Sequence, residues 1–450
     1  MGKFASIWRG FTVPLVKFVR SFSRFLGWDK ASVLFALTAT PIGGHAQKIA
    51  VVMPTPEEQV IYTFTGYADG GSPMSPVVLD SKGNIYGVTE LGGSWDAGTV
   101  FEVSPAKDGW NETVLHNCGT KTGGDGISPM GQLIGDAVGN LYGTTASGGN
   151  TFCTTNQCGT VLKLSHSSGE TGAAWAETLL HSFHGYDGEM PVGGVIFDRD
   201  GNLWGTTSFE ALGWGTVFVL VRSQNWKLHT IHAFTGGPDG GWPQASLSID
   251  ANGNIWGTTT WGGSYGYGTV FQVTKPTDQP RLLTIHEFTG GSDGGSPMYG
   301  QLIFDRAGNI YGTTFYGGAG SCTGDWMGCG VVFELQQSGG SWNEKVLYSF
   351  GGSGDGRYPA GGLAFDGLGR LYGTTSDSGE LSEYGNVFRL TQANGEWRFE
   401  VVYKFDFVHG ATPYAGLTFD GRGNLYGTTS SGGRVGAGTV FEISSSQSDP

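Results

Sequence analysis

The chain has 450 residues, and its 39 aspartates and glutamates outnumber its 25 lysines and arginines, so the formal net charge is −14. This acidic balance argues against nucleic acid and anionic membrane surfaces as partners, because both need clustered basic side chains. Glycine accounts for 81 residues, yet 14 Trp, 17 Tyr and 27 Phe are too many aromatics for a disordered chain. We therefore expect a folded, turn-rich, all-β protein.

Residues 1–46 have the order of a secretory signal: a basic segment, an apolar run at 31–39 and small residues up to Ala46. The run is too short to span a bilayer, which takes roughly 20 residues. We expect cleavage near Ala46–Gln47, with a retained amphipathic anchor as the alternative. The mature chain, 47–450, is then a single domain without a membrane span, secreted or periplasmic at the exterior of a bacterial cell.

A phrase close to Gly-Asn-Leu-Tyr-Gly-Thr-Thr occurs seven times, at spacings of 52 to 62 residues. The copies begin at Gly83, Gly139, Gly201, Gly253, Gly308, Gly369 and Gly423. A period of this size indicates an array of supersecondary units.

The fifth unit shows what each copy predicts. Segments 299–305, 309–314, 330–335 and 342–350 are short β-branched and aromatic runs bounded by Gly, Asp and Asn, which are strand signals. Four antiparallel strands without a helical segment are typical of a β-propeller blade. A β-solenoid is the alternative, but its coils are shorter and have fewer hairpin turns.

The two ends of the array predict a closed ring. The last unit stops after its third strand, 438–443, and the missing fourth strand is present at 60–64, which matches 346–350. We therefore predict an all-β, seven-bladed β-propeller of four-stranded antiparallel blades, closed by strand 60–64. The predicted blades are 76–118, 131–183, 193–234, 245–288, 300–350, 361–405, and 415–443 with 60–64.

Aligned copies assign many reactive side chains to structure. One column of the fourth strands reads Tyr62, His116, His181, His232, His286, Tyr348 and Tyr403, which predicts half-buried sheet residues. Two positions later Cys118 stands where the other copies have Phe, which predicts a buried, inert thiol. An aspartate ends every first strand: Asp80, Asp136, Asp198, Asp250, Asp305, Asp366 and Asp420. A carboxylate repeated seven times beside a Gly-Asn turn is a turn device.

The loop before each first strand begins with Asp-Gly in six copies, at Asp69, Asp125, Asp187, Asp239, Asp293 and Asp355, and with His409-Gly in the seventh. Calcium prefers such oxygen ligands, but one carboxylate per blade is too sparse for a site. Turn chemistry is the better interpretation of these loops. No cofactor or metal is predicted.

Four cysteines form two close pairs in corresponding loops, Cys153 with Cys158 and Cys322 with Cys329. In an exported protein this arrangement predicts two local disulfides. The alternative is a zinc site made by the four thiolates, although structural zinc sites separate paired cysteines by two to four residues.

The loops between second and third strands differ from copy to copy, and we place the candidate binding residues there. They are Glu90, Trp95, Glu210, Trp214, Trp261, Tyr265, Tyr316, Asp325, Trp326, Asp377 and Tyr384. Aromatics with carboxylates on one face can bind sugar rings, and two acids about 5–10 Å apart can hydrolyse glycosides. Alternatively, these aromatics fold back over the loop backbone. No catalytic residue is assigned.

The phrase, followed by Gly-Gly and then Gly-Thr-Val-Phe-Glu-Ile, resembles the GloVer (Gloeo–Verruco) tandem repeat of exported bacterial proteins with varied C-terminal anchors. The likeness covers about Val60 to Ile443 and departs at Val88 and Arg370, where the phrase has Thr and Asn. It implies an extracytoplasmic propeller and no assigned activity. The tail after Ile443 shows no anchor, which favours secretion or periplasmic retention.

Three hypotheses for function follow. The first is a monomeric, non-catalytic propeller that binds or scaffolds a polysaccharide or protein. The second is a carbohydrate hydrolase or lyase that uses acids of the variable loops. The third is a purely structural envelope component.

Overall fold

The computed structural model describes residues 58–119, 124–149, 158–166, 175–210, 213–274, 280–319, 322, 327–351, 354–379 and 384–445. The predicted signal segment lies outside these ranges. The described residues form seven four-stranded antiparallel sheets arranged as the blades of a propeller, which confirms the predicted fold. The one helix among them is a short 3₁₀ turn, Arg222–Gln224. Within the same ranges, no helix has the length and apolarity to cross a bilayer.

The strands of each blade are named inner, second, third and outer from the ring axis. The inner strands are Val78–Leu79, Ile134–Gly135, Ile196–Phe197, Ser248–Ile249, Ile303–Phe304, Ala364–Phe365 and Thr418–Phe419. The second strands are Ile85–Thr89, Leu141–Thr145, Leu203–Thr207, Ile255–Thr259, Ile310–Thr314, Leu371–Thr375 and Leu425–Thr429. The third strands are Thr99–Ala106, Thr160–His166, Thr216–Val221, Thr269–Val273, Val331–Ser338, Asn386–Ala393 and Thr439–Ile443. The outer strands are Gly109–Asn117, Trp175–Ser182, Lys227–Ala233, Leu282–Glu287, Ser341–Ser349, Glu396–Lys404 and, in blade 7, Glu58–Thr63. A separate short ribbon pairs Gly126–Ile127 with Ser147–Gly148.

The N-terminal strand closes the ring as predicted. Glu58–Thr63 pairs antiparallel with Thr439–Ile443, with Glu58 opposite Ile443 and Thr63 opposite Thr439. The strand therefore begins two residues before the predicted 60–64. Closure gives the last sheet its fourth strand, so its third strand is not an exposed edge.

The repeated phrase is explained by close packing within and between blades. In blade 7, a β-carbon on Gly427 would lie 2.5 Å from the Phe441 ring, so only glycine fits there. The Thr428 hydroxyl donates to the Ser75 carbonyl of blade 1 at 3.1 Å. The hydroxyls of Thr429 and Thr439 share a hydrogen bond of 2.9 Å across the second and third strands. The phrase thus builds the blade and joins it to the next.

An edge-on pair of phenylalanines joins each blade to the next at six of the seven interfaces. Phe64 of blade 7, for example, lies 5.1 Å from Phe101 of blade 1, measured between ring centroids. The other pairs are Phe183–Phe218, Phe234–Phe271, Phe288–Phe333, Phe350–Phe388 and Phe405–Phe441. Between blades 1 and 2 the two positions hold Cys118 and Leu162, both buried. That interface lacks the aromatic pair.

The strand-end aspartates close their turns, as predicted. In blade 4 Asp250 accepts hydrogen bonds from the backbone N–H groups of Asn252 and Asn254, at 2.8 and 2.9 Å. It also accepts from the Trp256 indole N–H at 3.0 Å. These bonds lower the pKa of Asp250 against the raising effect of burial.

The loop aspartates bind the predicted His/Tyr column of the outer strands. Tyr62 donates to Asp69 at 3.0 Å, and His232 Nε2 lies 2.9 Å from Asp239. With the equivalent pairs His181–Asp187 and Tyr348–Asp355, these contacts fasten four outer strands to the loop that leads into the next blade. At these four positions the column is structural.

Cys322 and Cys329 are joined by a disulfide bond, which is incompatible with the alternative zinc site of four thiolates. Cys158 is also disulfide-bonded, and Cys153 lies outside the described residues. Cys118 is free and buried. Burial raises the pKa of its thiol, and the nearby charges of Asp125 and Glu177 raise it further.

A candidate ligand-binding face

One face of the ring, the upper face, is formed by the loops between second and third strands and the loops that precede the inner strands. Isolated bridges pair the two kinds of loop within a blade, as Gly241 with Trp261 and Gly295 with Tyr316. The candidate residues of the variable loops therefore share this face with the Asp-Gly loops.

Each Asp-Gly loop, and the His-Gly loop of blade 7, holds the residue before its proline in the left-handed region, with φ between 52° and 59°. These residues are Ser72, Ser128, Met190, Trp242, Ser296, Tyr358 and Thr412. In blade 4 the Trp242 N–H donates to the Trp214 carbonyl of blade 3 at 2.8 Å. The Trp242 carbonyl accepts from the Thr260 N–H at 3.1 Å. Tyr358 makes the corresponding bonds, so a fixed backbone bracket holds these side chains.

A bulky aromatic residue in the left-handed region is unusual, since the conformation is strained for side chains larger than Asn or Asp. At the position before the loop proline, two blades nevertheless have an aromatic residue in this conformation, Trp242 in blade 4 and Tyr358 in blade 6. Each lies in a separate cluster of aromatic rings on the upper face.

The first cluster, the tryptophan row, consists of Phe209, Trp214, Trp242 and Trp261. The Trp242 ring lies 5.6 Å from Phe209, 5.4 Å from Trp214 and 5.9 Å from Trp261. Trp261 is 45% exposed, and the other three are partly exposed. The row thus presents aromatic surface to solvent across blades 3 and 4.

The second cluster, the tyrosine groove, has a volume of about 340 Å³. Its lining residues are Phe315, Tyr316, Tyr358, Ser376, Asp377, Thr412 and Tyr414. Phe315 and Tyr358 stack at 4.9 Å with an angle of 12° between their planes. Asp377 is paired with Arg357 at 2.7 Å, and the Arg357 guanidinium lies 5.3 Å from the Tyr358 ring centre. The groove therefore combines aromatic faces with a fixed charge pair.

The ring axis itself offers almost no room. The cavity at the axis has about 30 Å³ of space, enough for about two water molecules. Tyr299 narrows it, because the stretch from Pro297 to Asp305 is one residue longer than the corresponding stretch of each other blade. The Tyr299 ring lies 6.3 Å from Tyr414, and burial raises the pKa of both phenols. A sugar ring does not fit at the axis.

The structure brings four predicted site residues into the two clusters: Trp214 and Trp261 in the row, Tyr316 and Asp377 in the groove. Glu90 acts electrostatically on Tyr299, and its carboxylate is 3.5 Å from the Ser72 hydroxyl. The other described members of the set are not among the side chains that form the two clusters. Trp95 and Tyr265 are exposed, Glu210 lies in a turn closed by Gly213, and Tyr384 packs 5.5 Å from Phe407. Asp325 and Trp326 lie outside the described residues.

Sequence reasoning missed Trp242, Tyr358, Phe315, Tyr299 and Tyr414 as members of this face. For Trp242 and Tyr358 a signal was present. In the aligned loops the residue before proline is small or aliphatic in five copies and aromatic in two. The loop is a turn, as predicted, but its variable position also supplies the centre of each aromatic cluster.

The fold and this face define a closed seven-bladed β-propeller with a variable, aromatic upper surface. A profile of the Gloeobacter/Verrucomicrobia repeat matches residues 38–173, 151–325 and 285–449. The chain therefore belongs to the family built from this repeat. No curated protein is significantly similar in sequence.

Several solved structures are similar at low identity. The extracellular domain of BT4673 from B. thetaiotaomicron is 13% identical with a TM-score of 0.48, covering 85% of this chain and 39% of that one. A luciferin-regenerating enzyme is 12% identical with a TM-score of 0.44, covering 87% and 95%. XC5397, a gluconolactonase from Xanthomonas campestris, is 12% identical with a TM-score of 0.41, covering 87% and 98%. Similarity at this level says nothing about activity.

Proposed function

We propose that the protein is a non-catalytic, extracytoplasmic binding propeller that holds a polysaccharide on its upper face. The observation that carries this proposal is the tryptophan row, in which Trp242 has aromatic neighbours at 5.4 to 5.9 Å. The disulfide between Cys322 and Cys329 supports an oxidising compartment outside the cytoplasm.

Sugar rings have an apolar face and polar edges, so their sites combine aromatic planes with a few hydrogen-bonding groups. The tryptophan row supplies the planes over two blades, which suits a chain of sugars better than a single unit. The backbone bonds at Trp242 fix its main chain, and the three neighbouring rings restrict its side chain before the ligand arrives, so less side-chain entropy is lost on binding.

The tyrosine groove supplies a second contact on the same face. Its volume of about 340 Å³ falls within the range of small-ligand sites. Ser376, Thr412 and Asp377 offer hydroxyl and carboxylate groups beside the Tyr358 and Tyr414 rings. A groove of this composition would bind one sugar unit of the same polymer.

The placement of the acids favours binding over hydrolysis. A glycosidase needs two carboxyl groups that converge on one bond. Here Asp377 of blade 6 is paired with Arg357 at 2.7 Å. Glu90 belongs to blade 1, where its carboxylate faces the Ser72 hydroxyl. We therefore place binding before the hydrolase alternative.

The test is a glycan array probed with the protein, followed by affinity electrophoresis in each soluble polysaccharide that the array identifies. The double variant Trp242→Ser, Trp261→Ser removes two rings of the row. Serine stands at the corresponding positions of other blades, at Ser72 and Ser128 and at Ser147 and Ser431, so the backbone accommodates it. We expect roughly tenfold or greater loss of affinity, equivalent to about 1.4 kcal/mol.

Tyr67→Ala is the matched control, since Tyr67 is a highly exposed aromatic residue of an Asp-Gly loop outside both clusters. It should bind like the unchanged protein. Equal affinity of the double variant and the unchanged protein would reject the tryptophan row as the site. Release of new reducing ends from a bound polysaccharide would instead favour the hydrolase, and failure to bind any glycan would favour a protein ligand or a structural role.

A further inference from the structure

We propose that His116, Asp125 and Glu177 form a zinc-binding site between blades 1 and 2. This site is separate from the aromatic clusters and goes beyond the proposed polysaccharide binding. His116 lies on the outer strand of blade 1, Glu177 on the outer strand of blade 2, and Asp125 in the loop that leads from one blade to the other.

The ligand atoms are spaced for one ion. His116 Nε2 lies 3.7 Å from Asp125 Oδ2 and 3.9 Å from Glu177 Oε2, and a donor atom of each of the three side chains lies within 4.8 Å of the others. Zinc binds nitrogen and carboxylate oxygen at about 2.0 to 2.2 Å, so two ligands of one ion stand roughly 3 to 4 Å apart. One imidazole and two carboxylates leave a fourth position for water or another ligand.

Other blades provide an internal comparison. At the interfaces between blades 2 and 3 and between blades 3 and 4, the equivalent histidine contacts its loop aspartate directly, at 2.8 Å for His181–Asp187 and 2.9 Å for His232–Asp239. There the residue equivalent to Glu177 is leucine, Leu228 or Leu282. Where Glu177 is present, histidine and aspartate stand too far apart for a hydrogen bond. The wider spacing is what an ion between them requires.

Burial adds a second argument. The side chains of His116, Asp125 and Glu177 are 16%, 7% and 21% exposed. His116 Nε2 and Glu177 Oε1 are buried and have no hydrogen-bond partner among the described residues. Two carboxylates facing each other in a buried site are costly unless a cation neutralises them.

The site also lies at the interface that lacks the phenylalanine pair, where Cys118 and Leu162 replace the two aromatic rings. An ion held by side chains of both blades would cross-link them where this packing is missing. The same three residue types occur at the next comparable interface, as His286, Asp293 and Glu344, but they form no such cluster among the described residues. This makes His286 a matched control.

The experiment titrates zinc chloride into the EDTA-dialysed protein by calorimetry and records the melting temperature with and without zinc. We expect one zinc ion per chain, with affinity in the micromolar range or tighter, and a higher melting temperature in its presence. Imidazole favours zinc over calcium, so calcium chloride should bind far more weakly.

Glu177→Leu and His116→Tyr each introduce the residue found at the corresponding position of other blades, so the ring should still form. Each should weaken zinc binding roughly tenfold or more, whereas His286→Tyr should leave it unchanged. Melting without zinc checks that the variants fold. No zinc uptake by the unchanged protein at about 100 μM free zinc overturns the site. Unchanged affinity in both Glu177→Leu and His116→Tyr also overturns it, as does loss in His286→Tyr alone.

Discussion

Four outer strands place a glutamate against the loop that follows the outer strand of the preceding blade. These residues are Glu58, Glu112, Glu177 and Glu344. Burial is the main cause of the raised pKa of each, and the charge of a nearby aspartate adds to it. For Glu112, beside Asp69, and Glu344, beside Asp293, the pKa is raised to about 7. Blade interfaces therefore contain carboxyl groups that titrate near neutral pH.

The raised pKa values of Glu112 and Glu344 predict a pH-dependent stability. A carboxyl group whose folded pKa exceeds its unfolded value stabilises the fold below the unfolded pKa and loses that effect as pH rises through the folded pKa. The window here runs from 4.5 to about 7. Glu112→Gln with Glu344→Gln should therefore gain melting temperature relative to the unchanged protein between about pH 5 and pH 8.

Thermal melting across this range measures the effect, with the exposed Glu396→Gln as control. The melting temperature of the control should follow that of the unchanged protein at every pH. A difference between the double variant and the unchanged protein that stays constant with pH would show that folding does not raise the pKa of the two carboxyl groups.

At the scale of elements, the strands follow the sequence pattern except at the axis. In blade 5 the predicted third and outer strands, 330–335 and 342–350, correspond to Val331–Ser338 and Ser341–Ser349. The predicted inner strand, 299–305, is reduced to Ile303–Phe304, which pairs with Tyr311 and Ile310. Tyr299 lines the axial cavity instead.

Deleting the N-terminal strand should unfold or precipitate the ring. The change removes 47–66, including Glu58–Thr63 and Phe64, which packs on Phe101 of blade 1. The third strand Thr439–Ile443 would then be an exposed edge, and blades 7 and 1 would lose shared core. We expect insoluble protein or a markedly lower melting temperature by circular dichroism.

A chain that begins at Glu58 is the matched control for this deletion, because it keeps the whole strand. It should remain soluble and melt cooperatively. A soluble, cooperatively melting 47–66 deletion would contradict closure by the N-terminal strand.

At the scale of the whole molecule, the ring repeats one interface seven times with local substitutions. The Thr428–Ser75 hydrogen bond and the Phe64–Phe101 pair join blade 7 to blade 1 by the same contacts that join other blades. The strand ends meet there, since Glu58 lies opposite Ile443. The third and outer strands of any of the seven blades are therefore equivalent places for the two chain ends.

This equivalence predicts that a circular permutant will fold. A short linker joins Ser445 to Glu58, and new ends open between Lys107 and Asp108, an exposed turn of blade 1. Blade 1 would then close by its N-terminal outer strand, as blade 7 does now. We expect an unchanged far-ultraviolet spectrum and cooperative melting, with a modestly lower melting temperature.

A second permutant opened between Tyr142 and Gly143, inside a buried second strand, is the control and should not fold. If both permutants melt alike, the blades do not depend on intact second strands. If neither folds, closure between third and outer strands is not interchangeable among blades.

The repeated phrase, strand alternation and split seventh unit were enough to determine the propeller, its blade number and its closure, because these depend on local patterns repeated seven times. They also placed Trp214, Trp261, Tyr316 and Asp377 together on the upper face of the ring. Only the tertiary structure showed that Trp242 and Tyr358 lie among them, because the clusters join side chains of different loops and blades. Likewise, only the packing of blade 1 against blade 2 shows that His116, Asp125 and Glu177 converge. The sequence repeat carries no information on distances between side chains of neighbouring blades.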